Sequence, residues 1–133
     1  MRKYSTAAAL VGLASVLLGL GAADAKPQAR TAPKCFLTRN WSGWKATPDY
    51  KSIYIRVGAG DVYRLDLRDS CTALQDAGAY LVTRQHGSSW ICDPLDLDLS
   101  VHNPSGGMIH CGVNSLTPLS AEQTAALPSH LKP

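Results

Sequence analysis

Asp96 and Asp98 stand two residues apart in the alternating run Leu95-Asp-Leu-Asp-Leu-Ser-Val101. On an extended strand they share a face about 7 Å apart, a spacing that suits a paired-carboxylate mechanism or a calcium ion. Any half-exposed strand produces the same pattern, and no further carboxylate cluster joins them beyond Asp93. His86, Ser88, Ser89 and Asp93 supply the residue types of a hydrolase triad within one short segment. Triad members come from separate rigid elements, and no Gly-x-Ser-x-Gly turn is present to expose a nucleophile, so a polar turn is the better account. His110 and Cys111 are adjacent and, on a strand, point to opposite faces. His102 and His130 sit at a turn and a tail, where single histidines are usually solvated. No catalytic residue is therefore assigned.

The cysteines carry a clearer message. Cys35, Cys71, Cys92 and Cys111 all follow a first segment with the marks of an export signal. Arg2 and Lys3 open it, Ala7–Leu20 is an apolar run, and Ala23-Asp24-Ala25 is a small-x-small cleavage site, so residues 1–25 are expected to be removed. Gly12, Gly19 and Gly21 interrupt the run, so no stable membrane span is expected after cleavage. No cysteine directly follows the run, so a lipid anchor is not expected either. An exported, periplasmic or secreted domain sits in an oxidising compartment, where four cysteines read as two disulfides. Three connectivities are possible, and Cys35–Cys71 with Cys92–Cys111 is the preferred one. Without Cys-x-x-Cys or His-x-x-x-His spacing, no metal and no other cofactor is expected.

Removing residues 1–25 from 133 leaves 108, enough for one domain. The remaining 11 basic and 9 acidic residues argue for no particular partner, and without a Lys/Arg stripe nucleic acid is not expected. Residues 26–34, with two prolines and no apolar periodicity, read as a flexible lead-in to a single domain over 35–127, with 128–133 as a tail.

Within that domain the clearest signal is Ser52–Leu67, two alternating runs around Gly58-Ala59-Gly60. A three-residue hairpin loop pairs Val57 with Asp61, Ile55 with Tyr63 and Ile53 with Leu65. This gathers Ile53, Ile55, Val57, Tyr63, Leu65 and Leu67 on one face, with Gly60 as the left-handed residue. The other face then presents Tyr54, Arg56, Val62, Arg64 and Asp66. An aromatic ring flanked by two guanidiniums suits an anionic or planar ligand, which makes Tyr54, Arg56, Arg64 and Asp66 the ligand-binding candidates. A solvated outer face with a cross-strand Arg–Asp contact is the plainer reading.

The remaining elements follow from period and punctuation. Cys35–Trp41 reads as a strand, and Ser42-Gly43-Trp44 with Pro48-Asp49 as the loop after it, with Trp41 and Trp44 as core plugs. Asn40-Trp41-Ser42 fits the glycosylation sequon, which matters only in a eukaryotic secretory route. Thr72–Ala77 reads as a helical turn capped by Ser70 and stopped by Gly78. Ala79–Arg84, Trp90–Cys92, Leu95–Val101 and Met108–Val113 read as strands. Ser120-Ala-Glu-Gln123 resembles a capping box that opens a short helix, Ala121–Leu127, ended by Pro128. The expected class is all-β: a small antiparallel sheet or partly open barrel of about six short strands, with a short C-terminal helix and two disulfides.

Cys35, Trp41 and Trp44, the hairpin over Tyr54–Leu67, Cys71 before Leu74, Ile91-Cys92, and Cys111 followed by the terminal Leu-Ser-Ala-Glu segment occur in a recognisable order. The chain resembles a family of small exported bacterial proteins known only as a domain of unknown function. The resemblance spans roughly residues 35–127 and implies a periplasmic setting, with no activity or catalytic residue to carry over. Some members look lipid-anchored through a cysteine after the signal, which this chain lacks. The expected role is a non-enzymatic periplasmic module that binds another envelope protein or a cell-wall component. An inhibitor of an attacking hydrolase, such as a lysozyme or protease, is the alternative. A small hydrolase using Asp96/Asp98 or the His86 segment is the third reading.

Overall fold

A computed structural model describes residues 30–133. The signal and its cleavage site lie outside the described residues. Nine strands form: β1 Phe36–Leu37, β2 Trp41–Ala46, β3 Ser52–Val57, β4 Asp61–Leu67, β5 Tyr80–Gln85, β6 Trp90–Ile91, β7 Leu97–Asn103, β8 Gly107–His110 and β9 Val113–Pro118. One helix, α1 Ala121–Ala126, follows them. The strands pair as β2-β3-β4-β9, β5-β7-β8 and β1-β6, antiparallel throughout.

The two larger sheets share one stretch of chain. β8 pairs with β7, β9 pairs with β4, and only Cys111-Gly112 separates them. Cys111 N–H donates to Leu99 O at 2.9 Å, while Arg68 N–H donates to Gly112 O at 2.8 Å, so both ladders run up to the corner. The result is a partly open antiparallel barrel whose unclosed seam lies between β2 and β5. Trp41, Trp44, Leu81 and Thr83 line this seam, and the side chains of Gln85 and Thr38 bond across it.

The hairpin register is the expected one: Val57 opposite Asp61, Ile55 opposite Tyr63, Ile53 opposite Leu65. Ile53, Ile55 and Leu65 are fully buried, and each contributes about 1.5–3 kcal/mol by leaving water. They meet Phe36, Ile91, Leu97, Leu99 and Val101 from the other elements in one core. The left-handed residue of the loop is Gly58, at φ 59°, and not Gly60. The chain changes hand on entering the loop, so that is where a side chain would be strained.

Other local expectations shift. Ser42-Gly43-Trp44 is strand, not loop, because β2 pairs with β3 and carries a bulge between Trp41 and Gly43. In a regular strand two residues three apart face opposite ways, and the extra residue is what turns both tryptophans inward. Cys35–Trp41 is interrupted by a 3-10 turn at Thr38–Asn40. Thr72–Gln75 is a 3-10 turn without a side-chain cap, since Ser70 Oγ donates instead to Asp49 O at 2.7 Å. The capping box of α1 forms in both directions: Gln123 N–H donates to Ser120 Oγ at 3.1 Å, and Ser120 N–H to Gln123 Oε1 at 2.8 Å. The strand Val113–Pro118 was not anticipated beyond its first residue, because Asn114-Ser115-Leu116-Thr117 has little apolar alternation.

The disulfides are Cys35–Cys92 and Cys71–Cys111, which corrects the preferred pairing of Cys35 with Cys71 and Cys92 with Cys111. Strand pairing decides it. Phe36 lies opposite Ile91 in an antiparallel pair, so the next residues outward, Cys35 and Cys92, meet. Leu67 lies opposite Val113, and the continuation of those two strands brings Cys71 to Cys111. The bridges therefore span 57 and 40 residues, larger loops than the preferred pairing implied.

Both ends of the described chain dock. Thr31 bridges Ser120, Ala32 is buried with its N–H on Leu119 O at 3.0 Å, and Arg30 pairs with Asp61 at 3.1 Å. The Tyr63 hydroxyl donates to Pro33 O at 2.8 Å, and burial, with the nearby Asp61 charge, pushes its pKa up to about 12. After Pro128, Ser129–Leu131 forms a 3-10 turn with Leu131 buried. Residues read as a lead-in and a tail thus add to the packing.

Candidate functional site

The four ligand-binding candidates lie on the outer face of β3 and β4, as the register requires, but they do not form one open surface. Tyr54 and Val62 are buried beneath Leu119, Leu131 and Leu127 of the C-terminal segment. Arg64 Nε donates to Asp66 Oδ1 at 2.6 Å, and the same carboxylate accepts from Ser52 Oγ at 2.7 Å and Ser115 Oγ at 2.8 Å. Burial pushes the Asp66 pKa up, and the hydrogen bonds from Ser52, Ser115 and Arg64 together outweigh it, so the carboxyl lies below its ordinary value. Arg56 alone of the four stays exposed without a side-chain partner among the described residues.

The acidic pair also separates. Asp96 lies before β7, in a 3-10 turn at Pro94–Asp96, where its Oδ2 accepts the N–H groups of Cys92 and Asp93, each at 3.0 Å. Asp93 accepts from Leu95 N–H at 2.9 Å, completing a reciprocal cap. Proline at position 94 breaks the alternation that sequence reading extended back to Leu95. Leu95 is accordingly exposed, whereas Leu97, Leu99 and Val101 face the core. Ser88 bonds locally, its Oγ accepting from Trp90 N–H at 3.2 Å, and takes no part in a constellation with His86.

A different group assembles on the outer face of the β5-β7-β8 sheet. Tyr80 lies opposite His102, Val82 opposite Ser100, Arg84 opposite Asp98, His102 opposite Met108 and Ser100 opposite His110. Since Leu81, Leu99 and Val101 point inward on these strands, all of these partners point outward. The Tyr80 and His102 rings stack at 4.6 Å and 14°. Tyr80 is 52% exposed and Met108 51%. His110 Nδ1 stands 2.9 Å from Asp98 Oδ1, a buried oxygen that accepts no hydrogen bond among the described residues.

Sequence reasoning missed this face because its members come from three strands. The alternation of Ala79–Arg84 and Leu95–Val101 located two of those strands, but nothing in the sequence states that β5 pairs with β7 at this register. Among the described residues no three His, Cys, Asp or Glu side chains converge as metal ligands, and no helix is long and apolar enough to cross a membrane.

Fold and face together define a small, doubly disulfide-linked, partly open β-barrel with one outer flank covered by its own C-terminal segment and the other bare among the described residues. The chain belongs to a family of unknown function, DUF6491, whose model matches residues 3–132. No curated protein and no solved structure matches it.

Proposed function

We propose that this protein is an exported binding module of the periplasm, and that the bare outer face of β5-β7-β8 is where it meets a partner protein of the envelope. The two disulfides support an oxidising compartment, and the signal-like first 25 residues supply the route to it. One observation carries the binding reading: an uncovered sheet face that presents a stacked Tyr80–His102 pair, Met108 and Arg84. Tyr, Met and Arg are types enriched in protein interfaces, and they share this face with Asp98 and Ser100, whose types are depleted there. The rings and strands are held in place before contact, which lowers the ordering cost of association.

Site-specific photo-crosslinking tests this in living cells. A crosslinker at Val82 or Ser100 is expected to give an adduct of defined mass that disappears in Tyr80→Ala and Met108→Ala backgrounds, while one at Lys45 on the opposite sheet gives none. Loss of the adduct in neither background, or an identical adduct from both sheets, overturns the proposal. A hydrolase as the captured partner would sharpen it to inhibition.

A further inference from the structure

The barrel is interrupted between β2 and β5, and hydrogen bonds elsewhere fix which main-chain groups face the gap. Thr47 N–H donates to Ser52 O at 2.9 Å, which makes Thr47 and Ser52 a hydrogen-bonded pair at the end of the β2-β3 ladder. Bonded and non-bonded pairs alternate along an antiparallel ladder. Counting back, Lys45 bonds β3, whereas Trp44 and Ala46 turn their N–H and C=O groups away from it. Across the gap, His86 N–H donates to Asp96 O at 3.2 Å, so Arg84 and Val82 bond β7. Leu81 and Thr83 then turn their main-chain groups away from β7. The bond from Cys111 N–H to Leu99 O gives the same parity independently, since Leu99 bonds toward β8 and not toward Thr83 opposite it. Neither edge pairs with a further strand among the described residues.

Two rows of unpaired donors and acceptors thus border one groove of about 330 Å³. Trp41, Trp44 and Leu81 line it and pack half-buried against the core, so its inner wall is apolar. The side chains of Gln85 and Thr38 bond across one end, and the bulge of β2 lies at Trp41–Gly43. Past that bulge the edges carry none of the usual guards. Neither strand contains proline, and Lys45 and Arg84, opposite Tyr54 and Asp98, point to the outer faces. An extended main chain matches both rows at once, because its successive N–H and C=O groups point alternately to one side and the other.

We infer that the seam takes up an extended segment of a partner polypeptide, inserted as a strand between β2 and β5, with apolar side chains at every second position turned toward Trp41, Trp44 and Leu81. This contact goes beyond the outer-face contact proposed above, and its test reads main-chain amides instead of the Tyr80 and Met108 side chains. The probe is a nine-residue peptide of alternating threonine and valine, added to the disulfide-bonded protein while amide exchange is followed by NMR. At saturation the Trp44, Ala46, Leu81 and Thr83 amides are expected to exchange about ten-fold more slowly or less. The Lys45 and Val82 amides, already bonded to β3 and β7, are expected to stay unchanged. Peptides N-methylated at every threonine, or at every valine, each lose one row of donors and are expected to bind about ten-fold more weakly or worse. Thr83→Pro removes a donor that faces the seam and leaves the β7 ladder intact, so it is expected to keep the fold and lose the same factor. Unchanged exchange at the four seam amides with millimolar peptide overturns the inference. Equal binding by either N-methylated peptide does so too, as does full binding by a folded Thr83→Pro variant. Protection of the same amides that rises with protein concentration alone would identify a second copy of this chain as the occupant and overturn the partner segment.

Discussion

The two larger sheets of this barrel have the same inner faces and opposite outer ones. On β3 and β4 the outward Tyr54 and Val62 are 9% and 4% exposed, because Leu119, Leu127 and Leu131 fold back over them. On β5 and β8 the outward Tyr80 and Met108 stay half exposed, with none of the described residues folded over them. An aromatic residue on the solvent side of an alternating strand therefore says little about exposure. Whether a remote apolar segment can reach and cover it decides the matter, and among the described residues the C-terminal segment does so on one flank.

Breaking the covalent frame should affect both flanks most. The Cys71–Cys111 bridge pins the corner the sheets share, and on the chain-entropy model its 40-residue span contributes about 4 kcal/mol. A Cys71→Ala/Cys111→Ala variant is expected to lose about that much in urea unfolding, and to show exchange of backbone amides on both sheets. The Cys35–Cys92 bridge, spanning 57 residues, should cost a similar amount when removed.

The cover is the next test. Leu131→Ala leaves a cavity over Tyr54 and is expected to cost about 2 kcal/mol, with new amide exchange confined to the β2-β3-β4-β9 sheet. Equal loosening of β5-β7-β8 would show that the flanks are not independent.

A smaller effect should come from the polar part of the covered flank. Because the folded Asp66 carboxyl lies below its ordinary pKa, the stability its ionised form contributes is complete above that ordinary value. It is lost as pH falls through the lowered one. Urea unfolding of the native protein against Asp66→Asn, followed from about pH 6 to about pH 2, should show a native advantage that shrinks over the acid end of that range. A gap independent of pH would mean that the Ser52 and Ser115 bonds hold the neutral acid as well as the carboxylate.

Least of all, Tyr80→Ala and Met108→Ala should change stability by no more than about 0.5 kcal/mol, since both side chains are half in water. A loss of several kcal/mol would mark these residues as structural and end the contrast between the flanks.

How legible each part was follows the range of the interactions involved. The pairing register of the β3-β4 hairpin was readable, because a short loop leaves it to sidedness alone, but which loop glycine turns left-handed was not. The α1 cap was equally readable, both partners lying within four residues. The Trp41/Trp44 strand was not, since a bulge shifts the parity and only pairing with β3 reveals it. Nor was the role of Asp96, where Pro94 turns a strand position into a cap. The Asp98–His110 pair needs β7 and β8 side by side, a fact eleven residues of intervening sequence do not state.

By itself the sequence determined a small antiparallel β domain, two disulfides, the hairpin that supplies about a third of the main core, and the C-terminal helix. All of these depend on period, composition or contacts a few residues long. The tertiary structure decided which cysteines meet, which outer flank is covered, and which strand edges border the open seam. Each of these is fixed by the pairing of strands distant in sequence, where the order of residues along the chain carries no measure of distance in space.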